Sequence, residues 1–216
     1  MSITLATGTQ VAIASTYGTG FTITAISNAN PAVATLSAAH GVVVNDLIEI
    51  TSGWDRLNGR VVRVSAVATN DVTLEGVDTS STSRFPAGTG TGSGREITAW
   101  TTISQITTGI SVSGGEQNFA DITTLSDAVQ KQIPTNRSPV QVTLPVYDDP
   151  SLSWYNTVRT ASDAATVYAV RMIFPNSSRL LANAYWSLQQ VPTIEDSTLR
   201  ARIDLSFSCD PTRYAT

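Results

Sequence analysis

Histidine, cysteine and lysine each occur once in this 216-residue chain, as His40, Cys209 and Lys131. A single histidine excludes a metal site with two or more imidazoles from one chain. His40 lies in Ala38-Ala39-His40-Gly41-Val42, a loop entering a strand, and is expected to be structural. A single cysteine excludes an internal disulfide, and Cys209 ends the alternating stretch 203–209, where it reads as a small core or interface residue. One lysine among 13 basic residues, a net charge of −4 and a pI near 4.9 argue against a protein that grips phosphates. Charged residues make up only 14% of the chain, which suits a surface that is covered by neighbours. No apolar run is long enough to span a bilayer, and Met1-Ser2-Ile3-Thr4 lacks the basic and apolar regions of a signal peptide. The expectation is a protein made and kept in the cytosol of its producing cell, with no membrane partner.

Catalytic signatures are also missing. The chain contains no CxxC, HExxH, EF-hand loop or GxSxG element. The pairs Asp148-Asp149 and Glu195-Asp196 are explained by capping and turn formation. Gly88-Thr89-Gly90-Thr91-Gly92-Ser93-Gly94 has the glycine content of a phosphate loop, but no lysine follows it. The chain is therefore read as a non-enzyme without cofactor or metal.

What is present is 41% hydrophobic residues, a mean hydropathy of +0.03, and a great deal of threonine, serine, alanine and valine in period-2 alternation. That pattern specifies an all-β fold. Residues 21–26, 32–36, 47–50, 60–67 and 71–74 read as five short strands parted by turn clusters such as Leu57-Asn58-Gly59, enough for a small barrel or sandwich. Residues 86–94 read as a Gly-rich linker that divides the chain. Residues 97–106 and 109–113 are strand-like, and a polar, turn-rich stretch follows from Gly114 to Ser138. Its centre, 122–129, fits either an extended segment or one turn of helix. A loop of that length usually has a function or orders on binding.

Beyond it, 140–147 reads as a strand whose Pro145 points to an edge position. Asp148-Asp149-Pro150-Ser151 offers acidic N-cap candidates for the one helix expected, over 152–159, with Leu152, Tyr155 and Val158 on its apolar stripe and Trp154 flanking. Residues 168–174, 180–191 and 197–209 are strands. In the last, Leu199, Ala201, Ile203, Leu205 and Phe207 face the core, and Arg200, Arg202 and Asp204 face water or a neighbour.

Several segments occur in an order that carries more than composition. Trp100-Thr101-Thr102-Ile103 is followed by Ile110-Ser111-Val112-Ser113-Gly114-Gly115-Glu116 and Ala120-Asp121-Ile122-Thr123-Thr124-Leu125-Ser126-Asp127. Then come Tyr147-Asp148-Asp149-Pro150, Tyr168-Ala169-Val170-Arg171-Met172-Ile173-Phe174-Pro175-Asn176 and Ser206-Phe207-Ser208-Cys209-Asp210-Pro211-Thr212. With Gly8–Ile13 as a first strand, this order resembles the tail tube proteins (major tail proteins) of long-tailed bacteriophages with flexible, non-contractile tails. Residues 21–94 resemble a small β-barrel module that recurs inserted in phage virion proteins, through Asn28-Ala29-Asn30-Pro31, Ala39-His40-Gly41, Leu57-Asn58-Gly59-Arg60 and Val72-Thr73-Leu74-Glu75-Gly76.

The resemblance implies a β-sandwich with one flanking helix, formed by residues 1–20 and 95–216, plus the inserted barrel module at 21–94. It implies six copies closing into a ring, rings stacking into a tube, and double-stranded DNA passing non-specifically through the channel during ejection. The implied partners are further copies of the chain, a tape measure, a tail terminator and tail tip proteins. The implied location is the virion tail, after assembly in the host bacterial cytoplasm. The stretch 114–137 then contacts the adjacent ring, with Glu116, Gln117, Asp121, Thr124 and Asp127 as contact candidates and Asp121 and Asp127 as candidates for lumen-facing charge. Two alternatives share these features: another ring-forming β-rich virion protein, such as a head decoration or terminator protein, and a carbohydrate-binding β module drawing on four Trp and six Tyr.

Overall fold

The computed structural model describes residues 7–195 and 197–215. The expected contribution of Met1–Thr4 and the Asp196 half of the acidic pair lie outside these residues. Alternating β-branched segments become strands β1 (Gln10–Tyr17), β2 (Phe21–Ile26), β3 (Val33–Leu36), β4 (Leu47–Ser52), β5 (Arg60–Ala68), β6 (Asp71–Leu74), β7 (Gly92–Ile103), β8 (Ser111–Ser113), β9 (Gln117–Asp121), β10 (Gln132–Arg137) and β11 (Gln141–Tyr147). The helix α1 (Ser153–Ala164) follows, and then β12 (Val167–Ile173), β13 (Arg179–Leu188), β14 (Thr193–Glu195), β15 (Thr198–Phe207) and β16 (Thr212–Tyr214). The expected all-β fold with one helix is borne out.

Two sheets share one strand. The first half of β7 pairs with β2 and β4, and β2–β3–β6–β5–β4–β7 returns to β2, so six strands close a small barrel where the sequence suggested five. The second half of β7 pairs with β1, opening the larger antiparallel sheet β7-β1-β12-β13-β15-β11-β8. Residues 92–94, read from sequence as the end of a linker, are therefore barrel strand. Glycine is there for contact rather than flexibility. A Cβ on Gly92 would lie 2.0 Å from Thr51 O, and one on Gly94 would lie 2.6 Å from the Phe21 ring. Further back, Trp54 donates from Nε1 to Pro86 O and Thr89 Oγ1, both at 2.9 Å, which pins the rest of that segment to the barrel.

Each unit has its own core. Ile23, Ile48, Ile50, Leu57, Val64 and Leu74 fill the barrel. Val11, Ile13, Leu144, Val158, Ala184, Trp186, Ile203 and Leu205 fill the space between the curved sheet and α1. The helix buries Trp154, Tyr155, Val158 and Ala161, extending the expected stripe by one turn. The acidic N-cap is a correction: Leu152 occupies that position with no side-chain cap, and Asp149 instead accepts from Ser151 N and Oγ in the turn before it. The edge position expected for Pro145 is a correction: β11 lies between β15 and β8, and past the three residues that pair with β8 its flank is met by 105–107, with Thr107 N donating to Pro145 O at 2.8 Å.

A third cluster, with Ala14, Leu47, Val61, Ile97, Ala169, Leu181 and Tyr214, joins barrel to sheet. Two tyrosines fasten it. Tyr17 Oη accepts from Ala169 N at 3.0 Å, and burial pushes its hydroxyl pKa up to about 12. Tyr214 Oη accepts from Arg63 N at 2.8 Å and donates to Glu75 O at 3.2 Å, while the Arg63 guanidinium lies over its ring. Asn183 Nδ2 donates to Gly59 O at 2.8 Å across the same seam.

Candidate assembly surfaces

The larger sheet ends in two open edges. Among the described residues, 97–103 of β7 pair only with β1 on one side, and β8 pairs only with β11 on the other. Neither exposed row, Thr98-Ala99-Trp100-Thr101-Thr102 or Ser111-Val112-Ser113, carries a charge or a proline. Soluble proteins normally blunt such edges with lysine, proline or a bulge, because unpaired N–H and C=O groups template pairing with another chain; here the only such device is a shift of register against β1 around Thr98, and 100–103 run in regular register. Val112, on β8, is 66% exposed.

Between β8 and β11 stands a two-stranded hairpin, β9–β10, in a sheet of its own. The polar stretch expected from sequence is thus an extended ribbon, and the helical option for 122–129 is not taken. Its side chains are less polar than its composition implies. Phe119, Ile122, Leu125, Val129 and Ile133 are all solvent-exposed, with Leu125 fully so. None joins any of the three buried clusters. Isolated exposed apolar residues need no explanation, but five on one projecting hairpin mark an interaction surface.

The candidate residues at 116–127 occupy this ribbon in different roles. Glu116 lies between β8 and β9, its carbonyl accepting from Ser138 N at 3.0 Å and its carboxylate exposed. Gln117 spans the hairpin, donating from Nε2 to Thr135 O and Asn136 O. Asp121 accepts from Thr123 N and Oγ1, an arrangement that lowers its pKa. Asp127 pairs with Lys131 and accepts from the backbone and hydroxyl of Thr124, with its pKa lowered first by the lysine. Both carboxylates therefore shape the hairpin loop. The apolar tip was missed by sequence reasoning because the spacing of Ile122, Leu125 and Val129 also fits a turn of helix with one covered face, and no helix forms there.

The histidine and the cysteine each have a local structural setting. His40 Nδ1 accepts from Val42 N at 3.0 Å and Nε2 lies 3.0 Å from Thr69 O, so the ring ties its own loop to the β5–β6 turn. Cys209 is half-buried, its thiol pushed up by burial and its sulfur accepting from Asn183 N. Among the described residues no group of three or more His, Cys, Asp or Glu could hold a metal ion. No helix among them is long and apolar enough to cross a membrane.

Comparison with known proteins agrees with the emphasis on assembly. No curated protein matches the chain. Residues 52–216 match the family model described as phage tail tube protein, a span that starts inside the barrel at the end of β4 and runs through the hairpin and the whole of the sheet from β7 onward. With most of its length covered by that match, the chain belongs to the phage tail tube protein family, a structural family of the virion tail.

Proposed function

We propose that the chain closes into six-membered rings that stack into a tube through which DNA leaves the virion. The observation that carries this reading is the pair of uncharged, unpaired edges on one sheet. Adding β8 of one copy to β7 of the next is a head-to-tail contact, and such contacts generate rings when the rotation closes. Stacking falls to the β9–β10 hairpin, whose apolar residues need a covering surface on the adjacent ring. In this reading Asp121 and Asp127 hold the loop in shape before docking and contribute negative charge towards the channel. A wall that does not bind phosphate lets the genome slide, which suits a subunit with a net charge of −4 and one lysine.

Residues 1–20 and 95–216 build the tube in this proposal, and 21–94 ride on them as a separate unit outside the channel. Association with a tape measure, terminator and tip, and synthesis in the host cytoplasm, belong to the same proposal. Electron microscopy of the purified protein tests it: long polymers of stacked rings are expected. Deleting residues 116–130 should leave folded subunits that form no tubes, and normal tubes from that variant would refute the role of the hairpin.

A further inference from the structure

Beside the open β7 edge the outward face of the sheet holds an arginine without an anionic partner. Arg171 on β12 is in register with Ala12 on β1, and Ala14 is in register with Trp100 on β7. Because both β1 residues are alanines, the arginine side chain can lie across that strand. Its guanidinium reaches the Trp100 ring, 4.7 Å from the centroid. The stacking gives the cation a flat, partly apolar seat. It leaves one donor unmet: the buried Nε has no hydrogen-bond acceptor, and no carboxylate of the described residues pairs with the group. Burial and the nearby Arg179 both disfavour its charge. A half-buried, unpaired guanidinium next to a second cation is an unfavourable arrangement in an isolated subunit.

The opposite edge of the same sheet holds the complementary group. Glu116 follows β8 by three residues, is solvent-exposed, and forms no ion pair among the described residues. Gly114 and Gly115, both at positive φ, intervene, and a Cβ on Gly114 would lie 2.0 Å from Pro139 O. That close approach fixes where the chain leaves β8 and so where Glu116 is presented. One edge thus offers a carboxylate without a cation, and the other a cation without a carboxylate.

We infer that Glu116 of one copy pairs with Arg171 of the neighbouring copy as β8 adds to the open β7 edge. The inference rests on the edge-to-edge reading proposed above and adds to it a residue pair. Uncharged edges give adhesion with little choice of alignment; a single charge pair selects the alignment that brings carboxylate to guanidinium and penalises slips. It also disfavours pairing of two β7 edges, which would bring Arg171 and Arg179 of two copies together.

The test is a charge swap read by sedimentation and electron microscopy, with circular dichroism as the folding check. Arg171→Glu and Glu116→Arg should each raise the concentration needed for ring formation by about tenfold or more, as expected for breaking a desolvated charge pair. The double variant R171E/E116R should recover most of that loss. Arg171→Met keeps an apolar stem over Trp100 and removes the charge, so adding Glu116→Arg in that background should cost far less than in the unmodified chain. Because Glu116 is exposed, its variant tests the pairing even where Arg171→Glu fails to fold. Unaltered rings from Glu116→Arg, or a double variant no better than the worse single one, would overturn the pairing and leave the ring proposal standing. Failure of the unmodified chain to form any ring would defeat both.

Discussion

The sheet around α1 and the β9–β10 hairpin use similar residues for opposite ends. In the sheet and its helix, Leu144, Ile203 and Val158 are sealed inside and the strand faces alternate cleanly. In the hairpin, Phe119, Leu125 and Val129 point into solvent, and every residue of β10 is exposed. The first arrangement is complete within one chain. The second is held only by cross-strand bonds and by the Asp121 and Asp127 turns. Isolated two-stranded hairpins are marginal in water, so the ribbon acquires most of its rigidity when another surface covers it. Stability and assembly are thus assigned to separate regions, and mutations should separate them.

Loss of the hairpin by deletion of 116–130 is the largest effect expected, abolishing tubes while leaving the thermal unfolding of the subunit nearly unchanged. Leu144→Ala should do the reverse at the level of the fold. Removing a fully buried leucine side chain costs about 2–5 kcal/mol, visible as a lower midpoint in denaturant. Leu125→Ala should shift that midpoint by less than about 0.5 kcal/mol, as surface changes do, yet weaken tube formation. If Leu125→Ala destabilised the subunit as Leu144→Ala does, the division of labour would be wrong.

The barrel breaks the comparison in a third way, since its packing depends on absent side chains. Gly92→Ala would drive a Cβ onto the Thr51 carbonyl and should cost about 1–3 kcal/mol, read as earlier unfolding of the barrel by hydrogen exchange. Tyr214→Phe removes the hydroxyl that accepts from Arg63 N and donates to Glu75 O. It should cost about 1–2 kcal/mol and raise exchange along the barrel–sheet seam.

The smallest effect is acid loosening of the hairpin loop. The pKa values of Asp121 and Asp127 are depressed in the folded chain, so their contribution is present above the unfolded carboxylate value of about 3.9 and fades as pH falls through the lowered values. Amide exchange at Thr123 and Thr124, measured from pH 5 down to pH 2, should lose protection there, while amides of β13 keep theirs.

Much of this division was legible in the residues. Strict alternation over 199–207 reports one buried face because side-chain direction in a strand has period two, and β15 follows it. The helix was legible from the Leu152, Trp154, Tyr155 and Val158 spacing. Its cap was not: Asp149 and Leu152 are separated by only a few degrees of freedom that tertiary packing decides. The glycine segment misled for a definite reason. Composition reports what a chain can do when free, whereas Gly92 and Gly94 are needed because Thr51, Glu49 and Phe21, far away in sequence, press against them. The order Trp100 to Thr212 pointed to the tail tube family, but the five exposed apolar residues of the hairpin were invisible, since exposure is a property of what remains uncovered after folding. The assembly roles of Glu116, Gln117, Asp121, Thr124 and Asp127 stand as proposals for experiment.

The most direct measurement is a cryo-electron microscopy map of the polymer formed by the purified chain. The prediction is a ring in which residues 97–103 of one subunit lie hydrogen-bonded against β8 of the next, with β9–β10 buried on the adjacent ring. A map showing rings whose β7 and β8 edges both face solvent, or a protein that remains monomeric at every concentration, would contradict it.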